Sequence, residues 1–212
     1  MSTPFTLYGR QSSHFTRVAR MFAVELEVPY EFRPVFDLTS LDPVAYGGNP
    51  ALKVPSLAGP NGTFYGASNI CRELARGAER PLRIVWSESF TTALLANAQE
   101  LVLHVMNTEV ALIMSSMRPS SDAAPSIPDL KLRATLASSL EWLETRWPEI
   151  LSALPKERDL SFLEVTAFCV VRHLPFRKIC EVDRFTALSR FASDFDERPS
   201  ARATPFQFDV AP

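Results

Sequence analysis

At 212 residues, the chain is long enough for one large or two small domains with ample core. Apolar residues make up 46% and charged residues 22%, the balance of an ordinary globular protein rather than a disordered one. A net charge of −2, with Lys and Arg scattered, argues against a nucleic-acid or anionic-membrane surface, so neither partner is expected. No run approaches the roughly 18 apolar residues that a membrane span needs. Met1 to Arg10 lacks the apolar core of a signal peptide, and a cytoplasmic location is expected. Cys71, Cys169 and Cys180 are odd in number and lack metal-ligand spacing. Reduced thiols and no metal are the expectation.

In chain order, Phe5 to Tyr8 reads as a short buried strand, and Gly9 to Ser13 as a polar loop. From His14, the apolar positions Phe15, Val18, Phe22 and Leu26 recur at helical spacing to about Glu27, where Pro29 stops the helix. Tyr30, Phe32 and Phe36 alternate with Glu31 and Arg33 as a second strand. A strand, helix and strand in so short a stretch imply a parallel crossover. Asp37 to Gly48 holds enough for one irregular helix.

The next stretch, Asn49-Pro50-Ala51-Leu52-Lys53-Val54-Pro55-Ser56-Leu57, organises the rest. Its prolines end whatever precedes them, and Gly59-Pro60-Asn61-Gly62 turns one apolar run into the next, giving a hairpin over 54–65. Pro55 therefore sits where a loop feeds a strand, a place suited to a cis bond. A cis bond there turns the main-chain N–H and C=O of Val54 outward, ready for an extended peptide. A third helix runs from about Ser68 through Ile70, Cys71 and Leu74, with Gly77 as its stop. The order β-α-β-α-β-β-α is that of a thioredoxin-like domain.

Residues 79–85, with Pro81, read as a linker between a domain at 1–78 and a second at 86–212. Strand signals fade there. Ser87 to Met117 is one long helical pattern, Pro119 to Pro128 a loop, and Leu132, Leu136, Leu140, Leu143 and Trp147 a helical stripe. Ser161 and Glu164 read as a capping box before an almost wholly apolar helix. Phe185, Leu188, Phe191 and Phe195 mark a last helix before Pro199. The fold class is α/β plus all-α.

"NPALKVPSL" resembles the N-P-x-x-K-V-P-x-L segment of the glutathione transferase superfamily, and "RPSARAT" is similar to its common ending. The resemblance runs along essentially the whole chain. It implies a thioredoxin-like domain followed by an all-helical one. It also implies a homodimer and glutathione as co-substrate, with an apolar electrophile lying between the domains. "SHFTRVARMFA" is similar to the bacterial pattern S-P-Y-x-R-x-x-R, which makes Ser13 the catalytic serine. A second register, similar to S-x-x-x-x-R-V, makes it Ser12.

The chemistry that the resemblance implies is activation of a thiol that ordinarily titrates at about 8.5. A serine hydroxyl and a helix N-terminus lower that value. Ser12 and Ser13 lie where a strand hands over to a helix, so either can donate to a thiolate, or merely cap the helix. By resemblance, Lys53 meets the glycyl carboxylate of glutathione, while Val54 and Pro55 hold its cysteinyl part. Ser68 and Asn69 open a helix suited to the γ-glutamyl carboxylate. The family's glutamate is missing from Gly66-Ala67-Ser68-Asn69-Ile70. Arg10, His104 and Asn107 are candidates for the electrophile pocket, while His14 and His173 read as ordinary helix residues. With no cysteine in the loop at 9–16, disulfide exchange by the usual route is not expected. An alternative is a non-catalytic transferase-like binding module.

Overall fold

Phe5–Gly9 (β1) alternates its side chains and buries Leu7 and Gly9, as a strand in the middle of a sheet does. On one side it pairs in parallel with Tyr30–Pro34 (β2), which follows the helix His14–Glu25 (α1). On the other it pairs antiparallel with Ser56–Gly59 (β3). Pro60 and Asn61 turn β3 into Gly62–Tyr65 (β4), the hairpin expected from the sequence. The sheet order is β2-β1-β3-β4. This computed structural model describes residues 5–117 and 126–210.

The apolar face of α1 buries Val18 and Phe22 completely. The helix stops two residues earlier than its periodicity suggests. Glu27 takes a left-handed φ of 54°, and Val28 returns its N–H to the carbonyl of Ala23 at 2.9 Å. Pro29 thus follows an end already made. Between β2 and β3 the expected irregular helix shrinks to one 3₁₀ turn, Pro43–Tyr46, capped by Asp42 on the N–H of Val44 at 2.9 Å. The helix Ala67–Gly77 (α2) buries Ile70, Cys71 and Leu74 and packs against α1. Gly77 is its last helical residue rather than the residue after it, with Ala78 as the cap.

In the second unit, the linker region contributes a two-residue strand, Ile84–Val85 (β5). The long pattern beginning at Ser87 resolves into a 3₁₀ turn at Ser87–Ser89 and the helix Ala93–Ser116 (α3). Thr92 starts α3 by accepting the N–H of Leu95. The predicted loop at 119–128 falls largely outside the described residues, and Pro128 already stands in the first turn of Ile127–Ala153 (α4). Leu160–Ser161 (β6) pairs in parallel with β5 and leads into Phe162–Phe176 (α5), buried nearly all round.

Ser161 occupies the N-cap of α5, but the capping box does not close. Its hydroxyl makes no capping bond, and Glu164 instead takes the guanidinium of Arg158 at 2.6 Å through each oxygen. A bidentate ionic pair outbids a neutral cap. On Thr186–Phe195 (α6), the first N–H groups are capped from α4: Glu144 accepts from Ala187 at 2.8 Å and Leu188 at 3.0 Å. Trp147 of α4 meets Phe191 of α6 edge-on at 4.8 Å.

After α6 the chain returns to the first unit, where Pro199–Ala203 forms α7 and packs on α1. Contacts divide the described chain into residues 5–82 with 196–210, and residues 83–195. The sequence pattern alone places 86–212 in one helical domain. The return has a cause in charge. Buried Arg17 of α1 donates to the carbonyl of Ala201 at 3.2 Å and lies 4.4 Å from the ring centre of Phe206. Glu25 meets Arg198 at 2.9 Å through both oxygens and also accepts the hydroxyl proton of Ser200. No helix of the described residues is long and apolar enough to cross a membrane.

Candidate functional site

The register of the sheet assembles the site. Tyr8 stands opposite Ser56, and Ser56 opposite Tyr65. Because these pairings are antiparallel, the end of β1, the start of β3 and the end of β4 lie at one edge of the sheet. Three segments therefore emerge together: the loop before α1, the loop into Pro55 and the start of α2.

The first segment is shaped by close packing. A Cβ at Gly9 would stand 2.4 Å from Cγ2 of Thr16, so only glycine lets β1 approach α1 this closely. Thr16 uses the approach: its Oγ1 accepts the N–H of Arg10 at 3.3 Å. A turn follows, closed by the N–H of Ser13 to the carbonyl of Arg10 at 3.1 Å. Ser13 is the N-cap of α1, in extended conformation, with its oxygen accepting the N–H of Thr16 at 3.3 Å. That contact uses a lone pair and leaves the hydroxyl proton available to donate. Ser12 is buried in the same turn. His14, the first residue of α1, is buried too, at 1% exposure.

The second segment is pinned by Asn49. Its side chain accepts the N–H of Ala51 at 3.0 Å and donates to the carbonyl of Lys53 at 2.8 Å. The Val54–Pro55 peptide bond is cis. Pro55 is buried and its carbonyl accepts the N–H of Gly66 at 3.2 Å, which ties the second segment to the third. Among the described residues, neither the N–H nor the C=O of Val54 has a hydrogen-bond partner. Lys53 is exposed.

The third segment is open. Gly66, at φ 80°, is the N-cap of α2, and no side chain caps the helix. Ser68 and Asn69 are therefore the second and third helical residues, which removes a capping role from Ser68. Ser68 is half-buried, while exposed Asn69 donates to the carbonyl of Tyr65 at 3.2 Å. The first turn of α2 carries no acidic residue, in keeping with the missing glutamate.

The remaining candidates lie elsewhere. Arg10 follows β1, with Nε 3.6 Å from the Asp209 carboxylate. His104 and Asn107 are both exposed on α3 of the second unit. His104 lies 3.3 Å from Glu100 one turn away, and Asn107 donates to the carbonyl of Leu103 at 2.8 Å. His173 is a satisfied core residue, its Nδ1 2.8 Å from Glu109. Sequence reasoning gave no role to Asn49 or Asp209. The Asn-Pro dipeptide does signal a side-chain-closed turn, whereas nothing near Asp209 in sequence points to Gln11.

A parallel-antiparallel sheet of this order with an open strand-to-loop edge, followed by a helical unit, defines a class: the thioredoxin-like domain joined to an all-helical one. Residues 7–81 match the family model of the glutathione S-transferase N-terminal domain. No curated protein matches the chain. A solved glutathione S-transferase from Methylobacillus flagellatus KT, with glutathione bound, is similar at 20% identity and TM-score 0.76, over 95% of this chain and 98% of that one. A glutathione S-transferase from Methylobacterium radiotolerans JCM 2831, in complex with glutathione sulfonate, is similar at 20% identity and TM-score 0.74, over 99% of each chain. Poplar glutathione transferase F1 is similar at 18% identity and TM-score 0.67, over 96% of this chain and 97% of that one. At these identities the common property is the fold.

Proposed function

We propose that this chain is a glutathione transferase of the serine type. The observation that carries the reading is the sheet register, which gathers two serine hydroxyls, an unpartnered main-chain edge at Val54 and an uncapped helix start at one edge. Glutathione offers a matching set: a thiol, a peptide unit, and a carboxylate at each end. In this reading the N–H and C=O of Val54 pair with the cysteinyl unit. The first turn of α2, with Ser68 and Asn69, receives the γ-glutamyl carboxylate. Lys53 faces the glycyl carboxylate.

The thiol then lies at the start of α1. Ser13, or Ser12 in its place, donates a hydrogen bond that is stronger to the thiolate than to the thiol, and the helix N-terminus adds positive potential. The thiol proton passes to solvent. The thiolate sulfur forms a bond to the electrophilic carbon, and any leaving group departs with the bonding pair. The electrophile is a small hydrophobic molecule, with Arg10, His104 and Asn107 as candidate contacts. A cytoplasmic homodimer completes the reading.

A second reading has its own observation. Without an acid in the first turn of α2, the γ-glutamyl ammonium lacks the partner that the resemblance implies, and this favours a non-catalytic binding module. Retention on immobilised glutathione and ultraviolet absorbance of the bound thiolate separate the two. A transferase is retained, and Ser13→Ala or Ser12→Ala raises the bound thiol pKa by about one unit. It also lowers kcat/KM by roughly 10- to 100-fold. Retention with no thiolate signal in either background supports the module; no retention removes glutathione from both readings.

A further inference from the structure

The side chain of Asp209 is only 2% exposed, although it belongs to neither a strand nor a helix. Its two oxygens accept the main-chain N–H of Gln11 at 3.1 and 3.0 Å. The guanidinium of Arg10 supplies the counter-charge at 3.6 Å, and Gln207 donates to the side-chain oxygen of Gln11 alongside. A carboxylate withdrawn from water is costly unless such groups compensate it. The groups it meets are the two residues ahead of Ser12 and Ser13, inside the turn closed by Ser13 on Arg10. The rest of the segment holds α1 as well, through Arg198 on Glu25 and Ala201 and Phe206 on Arg17. The segment thus runs back along α1 from its last turn to the loop in front of its first.

From this we infer that Asp209 is a positioning residue for the proposed thiol site, holding the 10–13 turn so that its serine hydroxyl meets the sulfur. The inference rests on the transferase reading above. Rolling the turn would break a buried, charge-assisted hydrogen bond, so the hydroxyl is set before substrate arrives. Asp209 itself touches no reacting atom; it acts through Gln11.

The test compares the full-length wild type with Asp209→Ala and Asp209→Asn, the second of which keeps a carbonyl acceptor for Gln11. Amide hydrogen exchange at Gln11 reports the tie, and steady-state kinetics with glutathione and chlorodinitrobenzene report its use. In Asp209→Ala, exchange at Gln11 accelerates about tenfold or more, since the protecting bond is gone. There kcat falls about tenfold while KM for glutathione stays within about twofold. Asp209→Asn restores most of both. Unchanged exchange overturns the tie. Faster exchange with unchanged kcat, even with a lowered melting temperature, overturns the positioning role. Should Asp209→Ala fail to fold, Asp209→Leu, which fills the space but offers no acceptor to Gln11, carries the same two measurements with the same expected losses. A wild type that neither retains nor turns over glutathione overturns the transferase reading, and with it the catalytic part of this one; exchange at Gln11 still decides whether Asp209 holds the turn.

Discussion

The two helix starts at the candidate site solve the same problem in opposite ways. Each helix begins with N–H groups that have no partner within the helix. At α1, Ser13 satisfies one of them, and the turn in front is tied down from the far end of the chain by Asp209. At α2, Gly66 provides no side chain, and none caps the helix. The closed start offers a fixed hydroxyl, which suits a single atom such as sulfur. The open start offers bare N–H groups, which suit a carboxylate. Glycine serves both, for different reasons, and the difference is measurable.

The largest effect is expected at Gly9. A Cβ there collides with Cγ2 of Thr16 at 2.4 Å and Oγ1 at 2.7 Å, and Thr16 is fully buried. Gly9→Ala should cost about 2–3 kcal/mol in urea unfolding, the range for forced overpacking. At Gly66 a Cβ meets nothing within 4 Å, so only its φ of 80° resists substitution. Gly66→Ala should cost about 1–2 kcal/mol, because φ 80° with ψ 146° is a backbone region that L residues rarely enter. Equal losses at the two sites would erase the distinction between a steric and a conformational glycine.

A smaller effect, on binding alone, sharpens the contrast. Ser68 is the second residue of α2 and does not cap it. Ser68→Ala should leave the thermal midpoint within error while raising KM for glutathione about tenfold or more, the worth of one hydrogen bond to a carboxylate. Ser13→Ala removes a cap and should lower stability by about 1 kcal/mol as well as activity. If Ser68→Ala destabilises the fold as Ser13→Ala does, the second helix start is structural and not open to a ligand.

The sequence made these elements readable to unequal degrees. The sheet edge was legible because Pro55, the Gly59–Gly62 turn and the strand alternations are local signals, and local signals fix strand ends and register. The order of α1 and α2 followed from apolar spacing. What escaped was short or distant. The β5–β6 pair has two residues per strand, too few for any alternation to register. The box at Ser161 and Glu164 was correctly spaced, but an arginine six residues before Glu164 claimed the carboxylate. The return of 196–210 to the first unit depends on Arg17 and Glu25 needing buried partners, which periodicity cannot express. Asp209 and Gln11 belong to the same class: a contact between chain ends leaves no pattern in either.

At the other end of α1 the returning segment makes its second tie, to Glu25. Burial disfavours the charged form of Glu25, but hydrogen bonds from Arg198 and Ser200, and the charge of that guanidinium, outweigh it and hold the carboxyl below its ordinary range. A carboxyl lowered on folding stabilises the native state above its unfolded pKa, near ~4.3. That contribution drains away as pH falls through the lower, folded value. Glu25→Gln keeps the shape and removes the charge. Because Arg198 is a third exposed, solvent screening limits the expected loss to about 1 kcal/mol at neutral pH. Urea midpoints of wild type and variant should therefore converge on the acid side of the glutamate range. A gap of constant size from neutral to acid would mean that the pair's charge contributes nothing, and that the segment is held to α1 by Arg17, Ala201 and Phe206 instead.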